Sequence, residues 1–406
     1  TDWVLLAMTL FEATAFILLA FRDGFDFVPL ILAVSVPLLL VAQVLLLGRA
    51  YPHMDSYILI IVNFLCGVGL IMLYRLDAGR ALRQLLFYGV GVMAMMGMTF
   101  LVARYRGWRK LRLPIMLGLT LLIGEENGGA KNWIDLGFLS IQPSEFVKVA
   151  LVLCLAMDLS ERRTVRQLVP VGLFAVACVG LIVLQKDLGA VLICFLTCLT
   201  VYYVATSNWM LALAGLVCAA AGSTVLYHLF DHVRTRVAIW QNPWDSPQGS
   251  GYQIIQSLIS IASGGLTGMG LGLGSPDIVP VAESDFIFSA ICEEFGILVG
   301  LILILLYVIL FARGLLLAMR ARSSFHALLA VGAVTSLALQ TFMIVGGVIK
   351  MIPLTGVTLP FVSYGGSSML SSMLMLGILQ GVSISVGEQD ESQWRMARRR
   401  EEVPEI

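Results

Sequence analysis

Long apolar segments recur along the whole chain, and they restrict its fold more than any other property of the sequence. Each is close to the roughly 20 helical residues that cross a hydrocarbon core of about 30 Å. The segments are continuous rather than alternating, which favours helices over a membrane β-barrel, and a helix satisfies its own backbone hydrogen bonds in lipid. The sequence therefore predicts an all-α, polytopic integral membrane protein. We predict about twelve transmembrane helices, near residues 3–21, 27–48, 56–74, 84–103, 112–124, 143–158, 168–185, 188–206, 208–229, 286–312, 324–349 and 366–386.

Composition agrees with this class. Of 406 residues, 59% are hydrophobic and 13% are charged, against roughly 25% charged residues in soluble domains. The seven cysteines all lie in apolar segments and lack the paired spacing of metal ligands, so we interpret them as reduced packing residues. We expect membrane lipids around the protein and no nucleic-acid partner.

The distribution of Lys and Arg predicts the orientation in the membrane, because cytoplasmic loops retain positive charge. If both termini are cytoplasmic, sixteen of the 26 Lys and Arg residues lie inside. Arg75, Arg80 and Arg83 oppose this bias locally. The expected location is the bacterial inner membrane, with both termini in the cytoplasm and residues 387–406 as a cytoplasmic tail.

Three predicted outward segments are long and polar enough to form a site: 124–142, 230–285 and 350–365. The longest of them is typical of a functional loop. It contains a run of glycines between Gly264 and Gly274, which we do not interpret as a phosphate loop, because no Gly-Lys-Ser/Thr follows it and no strand precedes it. Close packing of backbone beside lipid or a helix is the alternative.

Charged residues inside the membrane are costly, at about 2.5 to 3.5 kcal/mol on insertion scales, so each needs a partner or a function. Glu145 and Lys148 lie near the start of the sixth segment, and Asp187 lies in the turn QKDLGA. An ion pair between Lys148 and Asp187 would offset both desolvation costs and join two helices. A direct role in catalysis or substrate binding is the alternative.

Asp285 occupies the last polar position before a helix enters the membrane, in ESDFIF. Glu283 and Asp277 are close in sequence, and like charges raise the pKa of a carboxyl group toward that of a useful base. Asp285 is therefore our candidate general base. An aspartate that only caps the helix would give the same pattern.

Cationic residues lie on the same predicted face as Asp285. Lys131, Arg234 and Arg236 suit a diphosphate leaving group, either directly or together with a divalent metal ion, Mg²⁺ or Mn²⁺, whose ligands the sequence does not identify. Contact with anionic lipid headgroups is the alternative. Lys350 is expected to reach the interface by snorkelling.

Six motifs, in order, resemble the SEDS family of shape, elongation, division and sporulation proteins. They are NWIDLG, IQPSEFVK, KDLG, the NPW and GYQ of residues 242–253, ESDFIFSAICEEFG, and LTGVTLPFVSYGGSS at 354–368. The resemblance covers roughly residues 57–386. It divides the chain into two extra N-terminal helices at 1–55, a membrane core at 56–386 with the large loop 230–285, and the tail at 387–406.

The resemblance implies a ten-helix core that polymerises lipid II, the undecaprenyl-diphosphate disaccharide-pentapeptide, beside a class B penicillin-binding protein. By this resemblance Asp285 matches the family's essential aspartate, Lys148 and Asp187 its intramembrane pair, and Trp133 an aromatic residue beside the site. Five positions depart from the family pattern: Val281, Glu283, Ser284, Lys186 and Ile344. Val281 replaces a glutamate, and Lys186 replaces the proline before Asp187.

Our leading hypothesis is glycosyl transfer with inversion, in which Asp285 takes the proton of the acceptor hydroxyl. The substrate-binding residues would be Lys131, Trp133, Arg234, Arg236, Glu283 and Asp277. Two alternatives stay open: a flippase for a lipid-linked oligosaccharide, and a non-catalytic scaffold for a penicillin-binding protein.

Overall fold

The structure, a computed structural model, describes residues 2–22, 24–105, 107–108, 110–111, 115, 134–135, 140–161 and 165–402. Within these ranges thirteen α-helices account for nearly all regular structure. They are α1 (Asp2–Ala20), α2 (Phe27–Ala50), α3 (Ser56–Leu76), α4 (Ala78–Arg104), α5 (Pro143–Leu159), α6 (Val165–Leu184), α7 (Leu188–Thr206), α8 (Trp209–Leu229), α9 (Asp231–Gln241), α10 (Tyr252–Gly264), α11 (Ile287–Arg320), α12 (Ser324–Val348) and α13 (Gly366–Glu402). Two short strands, β1 (Ile134–Asp135) and β2 (Ser140–Ile141), pair antiparallel.

Nine of these helices in the described ranges are long and apolar enough to cross a membrane: α1 to α4, α7, α8, α11, α12 and α13. Helices α5 and α6 coincide with two further predicted spans, although α5 has only 17 residues. The predicted span 112–124 lies outside the described residues apart from one position. The prediction of an all-α, polytopic membrane protein is confirmed.

Burial varies strongly from helix to helix. Helices α3 and α13 are 83% buried over their apolar windows, whereas α8 has no buried residue along its whole length. Most of α5 is also buried. The interior of the bundle is therefore built from α3, α5, α12 and α13, and α8 lies at the periphery.

The extra N-terminal helices are attached to the rest of the bundle through polar contacts as well as apolar packing. On α4, the Tyr88 hydroxyl contacts Gln43 of α2 and donates to Asn63 of α3 over 3.0 Å. Asn63 in turn donates to the Leu40 carbonyl at 3.3 Å. Hydrogen bonds between helices persist in lipid because hydrocarbon offers no competing partner, so this cluster fixes α2 against α3 and α4.

Polar contacts also distinguish the two ends of the bundle. We call the first the Asp55 end, and it comprises residues 51–55, 207–208 and 321–323. There Asp55 caps α3. Its carboxylate also accepts hydrogen bonds from Arg313, with Nε–Oδ2 2.9 Å and Nη2–Oδ2 2.8 Å. The opposite end, the Asp285 end, comprises residues 21–26, 77, 230–286 and 350–365. Helix parity places two of the predicted outward segments, 230–285 and 350–365, together at the Asp285 end. Most of the third, 124–142, lies outside the described residues.

Helix α11 is broken at Gly296, whose φ and ψ are 85° and 165°. The break frees backbone groups near it, and the glycine-rich segment satisfies them: Ile297 N–H donates to Gly265 O at 2.9 Å, and Gly270 N–H donates to Glu294 O at 3.0 Å. A Cβ on Gly264 would lie 2.1 Å from the Cys292 carbonyl oxygen. The glycines therefore allow backbone to pack against backbone, which is the alternative we considered against a phosphate loop.

Candidate functional site

Asp285 lies in a tight turn immediately before α11. The backbone N–H groups of Ser284 and Asp285 both donate to the Val281 carbonyl at 3.2 Å. Val281 itself has a φ of 59°, a left-handed conformation that is unfavourable for a β-branched residue. The N-cap of α11 is Phe286, without a side-chain hydrogen bond. Asp285 is therefore not the helix cap, and its carboxylate is left for another role.

Burial raises the pKa of Asp285, while a hydrogen bond from the Ser284 hydroxyl at 2.9 Å and the charge of Arg236 partly offset this effect. The pKa moves in the predicted direction, but the predicted cause was wrong. Glu283 forms an ion pair with Arg80, and Asp277 is 68% exposed and lies 3.9 Å from Arg75. Desolvation, rather than like charges, moves the pKa of Asp285 toward that of a base.

A cavity of about 200 Å³ opens beside Asp285. Its walls carry polar groups from segments far apart in sequence and apolar groups from α9, α10 and residues 352–354. The lining residues are Arg236, Ile239, Trp240, Ser250, Gln253, Ile254, Asp285, Gly347, Lys350, Ile352, Leu354 and Gly356. The cavity is thus lined by one carboxylate, two cations and an apolar wall.

Arg236 and Asp285 meet at Gly356. A Cβ on this glycine would lie 3.6 Å from Arg236 Nη2 and 3.7 Å from Asp285 Oδ2, and its φ is 74°. Arg236 is held by a 2.9 Å hydrogen bond from Nη1 to the Thr355 carbonyl. The structure therefore brings together the predicted base and one of the three predicted cations.

Lys350 and Trp240 complete the polar wall of the cavity, and sequence reasoning assigned neither of them to the site. Trp240 Nε1 donates to the Lys350 carbonyl at 3.2 Å, and Lys350 Nζ donates to the Gln241 carbonyl at 3.3 Å. A lysine at the start of a predicted outward segment was the available signal for Lys350.

The other predicted substrate-binding residues are placed as follows. Arg234 pairs with Asp231 at 3.0 Å, donates to the His228 carbonyl, and does not line the cavity. Glu283 and Asp277 face arginines at the same end of the bundle, as described above. Lys131 and Trp133 lie outside the described residues.

The predicted ionic set contained Lys148, Asp187 and Glu145, and the structure differs from the prediction in which carboxylate pairs with Lys148. Among the described residues Lys148 pairs with Glu145, at 2.8 Å from Nζ to Oε2, and donates to Gln340 at 2.7 Å. Asp187 instead caps α7 by accepting from Ala190 N, and it also accepts from Ser144 Oγ at 3.1 Å. The i,i+3 spacing puts Glu145 on the same face of α5 as Lys148, whereas an N-cap already uses the Asp187 carboxylate.

Two arginines that opposed the predicted orientation are neutralised at the Asp285 end. Arg75 donates from Nε to Glu294 at 2.9 Å and from Nη2 to the Gly274 carbonyl at 2.8 Å, and Arg80 pairs with Glu283. Glu294 also accepts from Gly272 N. These contacts fix the glycine-rich segment and the turn before Asp285 against α3 and α4.

Residues 55–387 match the cell cycle protein family of FtsW, RodA and SpoVE. The chain belongs to this family. The resemblance inferred from the six motifs is thus confirmed.

Curated members of the FtsW, RodA and SpoVE family are similar over most of their length. The peptidoglycan glycosyltransferase RodA of Mycobacterium tuberculosis is 42% identical over 378 residues, which cover 84% of this chain and 80% of that protein. Stage V sporulation protein E of Bacillus subtilis is 36% identical over 357 residues, which cover 81% of this chain and 96% of that protein.

A solved structure is similar as well. It comes from a study of the structural coordination of polymerization and crosslinking by a peptidoglycan synthase complex. It superposes with a TM-score of 0.70 at 29% identity and covers 83% of this chain and 98% of the solved chain. The folds therefore agree over nearly the whole of that solved chain.

A protein-bound metal ion needs several ligand side chains close together. The described part of the chain contains no group of three or more His, Cys, Asp or Glu side chains arranged to hold a metal ion. Near Asp285 the other carboxylates, Glu283 and Asp277, face arginines. These described residues therefore do not form a metal-binding set.

Proposed function

We propose that this FtsW, RodA and SpoVE family member is a peptidoglycan glycosyltransferase that polymerises lipid II into glycan strands. The observation that carries the proposal is the half-buried Asp285 carboxylate, which shares one cavity with Arg236 and Lys350 at the end of a membrane bundle. The name of the similar mycobacterial RodA supports the same activity.

Asp285 acts as the general base. The acceptor sugar hydroxyl attacks the anomeric carbon of the donor, its proton passes to Asp285, and the bond from the anomeric carbon to the lipid diphosphate breaks. Direct displacement inverts the anomeric configuration. A carboxylate with a raised pKa is a stronger base than an exposed one, which favours this role at neutral pH.

Arg236 and Lys350 stabilise the leaving group. Negative charge accumulates on the diphosphate as its bond to the sugar breaks, and preorganised cations in a site shielded from water stabilise that charge. The backbone hydrogen bonds from Arg236 to Thr355 and from Lys350 to Gln241 hold both cations in place. A divalent ion brought by the diphosphate would add to this charge stabilisation, and its role is left to experiment.

The position of the cavity suits a lipid-linked substrate. A polyprenyl tail stays in the bilayer, so the reacting sugar can be reached only at the membrane surface. Ile239, Ile254, Ile352 and Leu354 provide an apolar wall beside the charged groups. We assign the tail to the bundle side of this wall and the sugars to the polar side.

The proposed setting is the bacterial inner membrane, with both termini cytoplasmic, the Asp285 end outside, and a class B penicillin-binding protein as partner. The larger share of Lys and Arg on the side of the termini supports this orientation. The similarity to a chain from a peptidoglycan synthase complex supports the partner.

The decisive experiment compares the purified wild type with Asp285→Asn on fluorescent lipid II, with and without the transpeptidase partner, and follows glycan polymer on gels. We expect polymerisation to fall by about 10² to 10⁴, while lipid II binding persists. Asp245→Asn is the matched control, because this exposed carboxylate lies at the same end of the bundle and does not line the cavity. If Asp285→Asn polymerises lipid II as the wild type does, Asp285 is not the base. If the wild type and Asp285→Asn both transport the lipid and neither makes polymer, the alternative function as a flippase for a lipid-linked oligosaccharide is favoured.

A further inference from the structure

A second cavity, of about 460 Å³, lies at the Asp55 end of the bundle. Its walls come from the end of α4 and the residues after it, the start of α12, and the far part of α13. The lining residues are Val102, Ala103, Arg104, Tyr105, Trp108, Phe325, His326, Ser385, Glu388, Gln389 and Ser392. Because the 25 residues of α12 span about 37 Å, this cavity is distant from the one at Asp285.

Three polar atoms on these walls are buried without a hydrogen-bond partner in the described part of the chain: Trp108 Nε1, His326 Nδ1 and Gln389 Oε1. Trp108 is the most enclosed of the three residues, at 7% exposed. Buried polar groups without a partner are costly and rare in proteins. Three of them around one cavity therefore indicate an occupant that supplies the missing bonds.

The hydrogen-bonding capacity of the walls defines this occupant. The indole Nε1–H can only donate. His326 Nε2 lies 3.3 Å from the Val102 carbonyl, which can only accept, so Nε2 carries the proton and Nδ1 is an acceptor in the neutral ring. Gln389 Oε1 is a second acceptor. The occupant therefore donates at least two hydrogen bonds and accepts at least one.

Charges and rings add to this definition. Arg104 and Glu388 form an ion pair at the cavity, 2.9 Å apart, and present one charge of each sign. The ring of Trp108 packs against those of Tyr105 and Phe325, with centroids 5.9 and 5.7 Å away. Aromatic clusters of this kind attract ammonium groups, and Trp and Tyr concentrate at the level of lipid headgroups.

We propose that this cavity binds the headgroup of a phospholipid that carries both a primary ammonium and a phosphate, as phosphatidylethanolamine does. The ammonium donates to His326 Nδ1 and Gln389 Oε1 and lies near Glu388. A phosphate oxygen accepts from Trp108 Nε1 and lies near Arg104. The cavity is formed at the ends of membrane-spanning helices, so the acyl chains remain in the bilayer. This site is independent of the reaction proposed at Asp285.

The test is native mass spectrometry of the full chain in detergent, with equimolar phosphatidylethanolamine, phosphatidylcholine and phosphatidylglycerol of identical acyl chains. Phosphatidylcholine lacks N–H donors, and phosphatidylglycerol lacks the cation. We expect phosphatidylethanolamine to be retained at least about fivefold better than either, and Trp108→Phe, which keeps a ring but loses the donor, to reduce its retention about fivefold. Trp209→Phe is the control, because Trp209 is exposed at the same end of the bundle and does not line the cavity.

Several outcomes would overturn the proposal. Equal retention of the three lipids would mean that the cavity holds only water, and a preference for phosphatidylglycerol would assign a purely anionic ligand. Soluble phosphoethanolamine bound as tightly as the lipid would assign a metabolite instead. Gln389→Leu removes an acceptor on a different helix and is expected to lower retention as Trp108→Phe does. If both variants unfold normally on heating yet retain the lipid as the wild type does, the assignment is wrong.

Discussion

The buried ion pair between Arg75 and Glu294 offers the most direct test of how the Asp285 end is held together. The Arg75 side chain is 4% exposed and that of Glu294 is fully buried. Between them they also satisfy the Gly274 carbonyl and the Gly272 N–H. Arg75→Met removes two of these contacts and leaves a buried carboxylate that keeps the hydrogen bond from Gly272 N and the more weakly acting charge of Arg22.

Removing one partner of a buried pair costs about 3 to 5 kcal/mol, because the other charge is left without compensation. We therefore expect Arg75→Met and Glu294→Gln each to lower the free energy of unfolding by about this amount. The double variant has no uncompensated charge, and its amide can still accept from Gly272 N. We expect the double variant to lose only about 1 to 2 kcal/mol.

The assay is unfolding in mixed detergent micelles, analysed as a double-mutant cycle, together with limited proteolysis of the glycine-rich segment. Arg80→Met serves as the control, since its pair with Glu283 is 40% and 20% exposed, and an exposed pair contributes up to about 1 kcal/mol. If the losses of the two single variants simply add in the double variant, the pair is not coupled, and our account of this end of the bundle fails.

Three further predictions concern single positions. Because burial raises the pKa of Asp285, activity should decline on acidification at a higher pH than the titration of an ordinary aspartate, and a pH profile of polymerisation with its midpoint near pH 4 or below would contradict this. Because the pKa of Asp285 is raised in the folded protein, its protonation stabilises the folded state at low pH, and this contribution is lost as pH rises. Asp285→Asn should therefore unfold at a higher temperature than the wild type at pH 7.5, and the difference should disappear below about pH 4. Thermal scans at both pH values check the sign. Gly264→Ala places a Cβ against the Cys292 carbonyl and should destabilise by at least about 1 to 3 kcal/mol, whereas Gly222→Ala on α8, with no atom within 4 Å, should be neutral or slightly stabilising in the same unfolding assay.

The sequence predicted those parts of the structure that depend on local properties. Apolar length and continuity are read directly from the chain, so the helices and the membrane class followed. Asp285 was found for a similar reason, since a carboxylate at the entry of an apolar helix is conspicuous in one dimension. Its position in the turn after Val281 kept it free of the capping role that the sequence left open.

Contacts between distant segments were harder to predict. Trp240 and Lys350 are 110 residues apart and meet only in the folded protein, so nothing in either segment indicated their shared wall. For Lys148, a long-range partner was predicted where the nearer Glu145 was used. Arg75 and Arg80 opposed the charge bias in the sequence, and nothing local indicated their partners Glu294 and Glu283, which lie far along the chain.

Helix α8 has a further consequence for the cavity at Asp285. With no buried residue, it packs less extensively against its neighbours than the inner helices do, so we expect its tilt to respond to the thickness of the surrounding hydrocarbon. Only Phe230 separates α8 from α9, the helix that carries Arg236. We therefore expect a thinner or thicker bilayer to shift Arg236 relative to Asp285, which would couple the proposed reaction to the composition of the membrane.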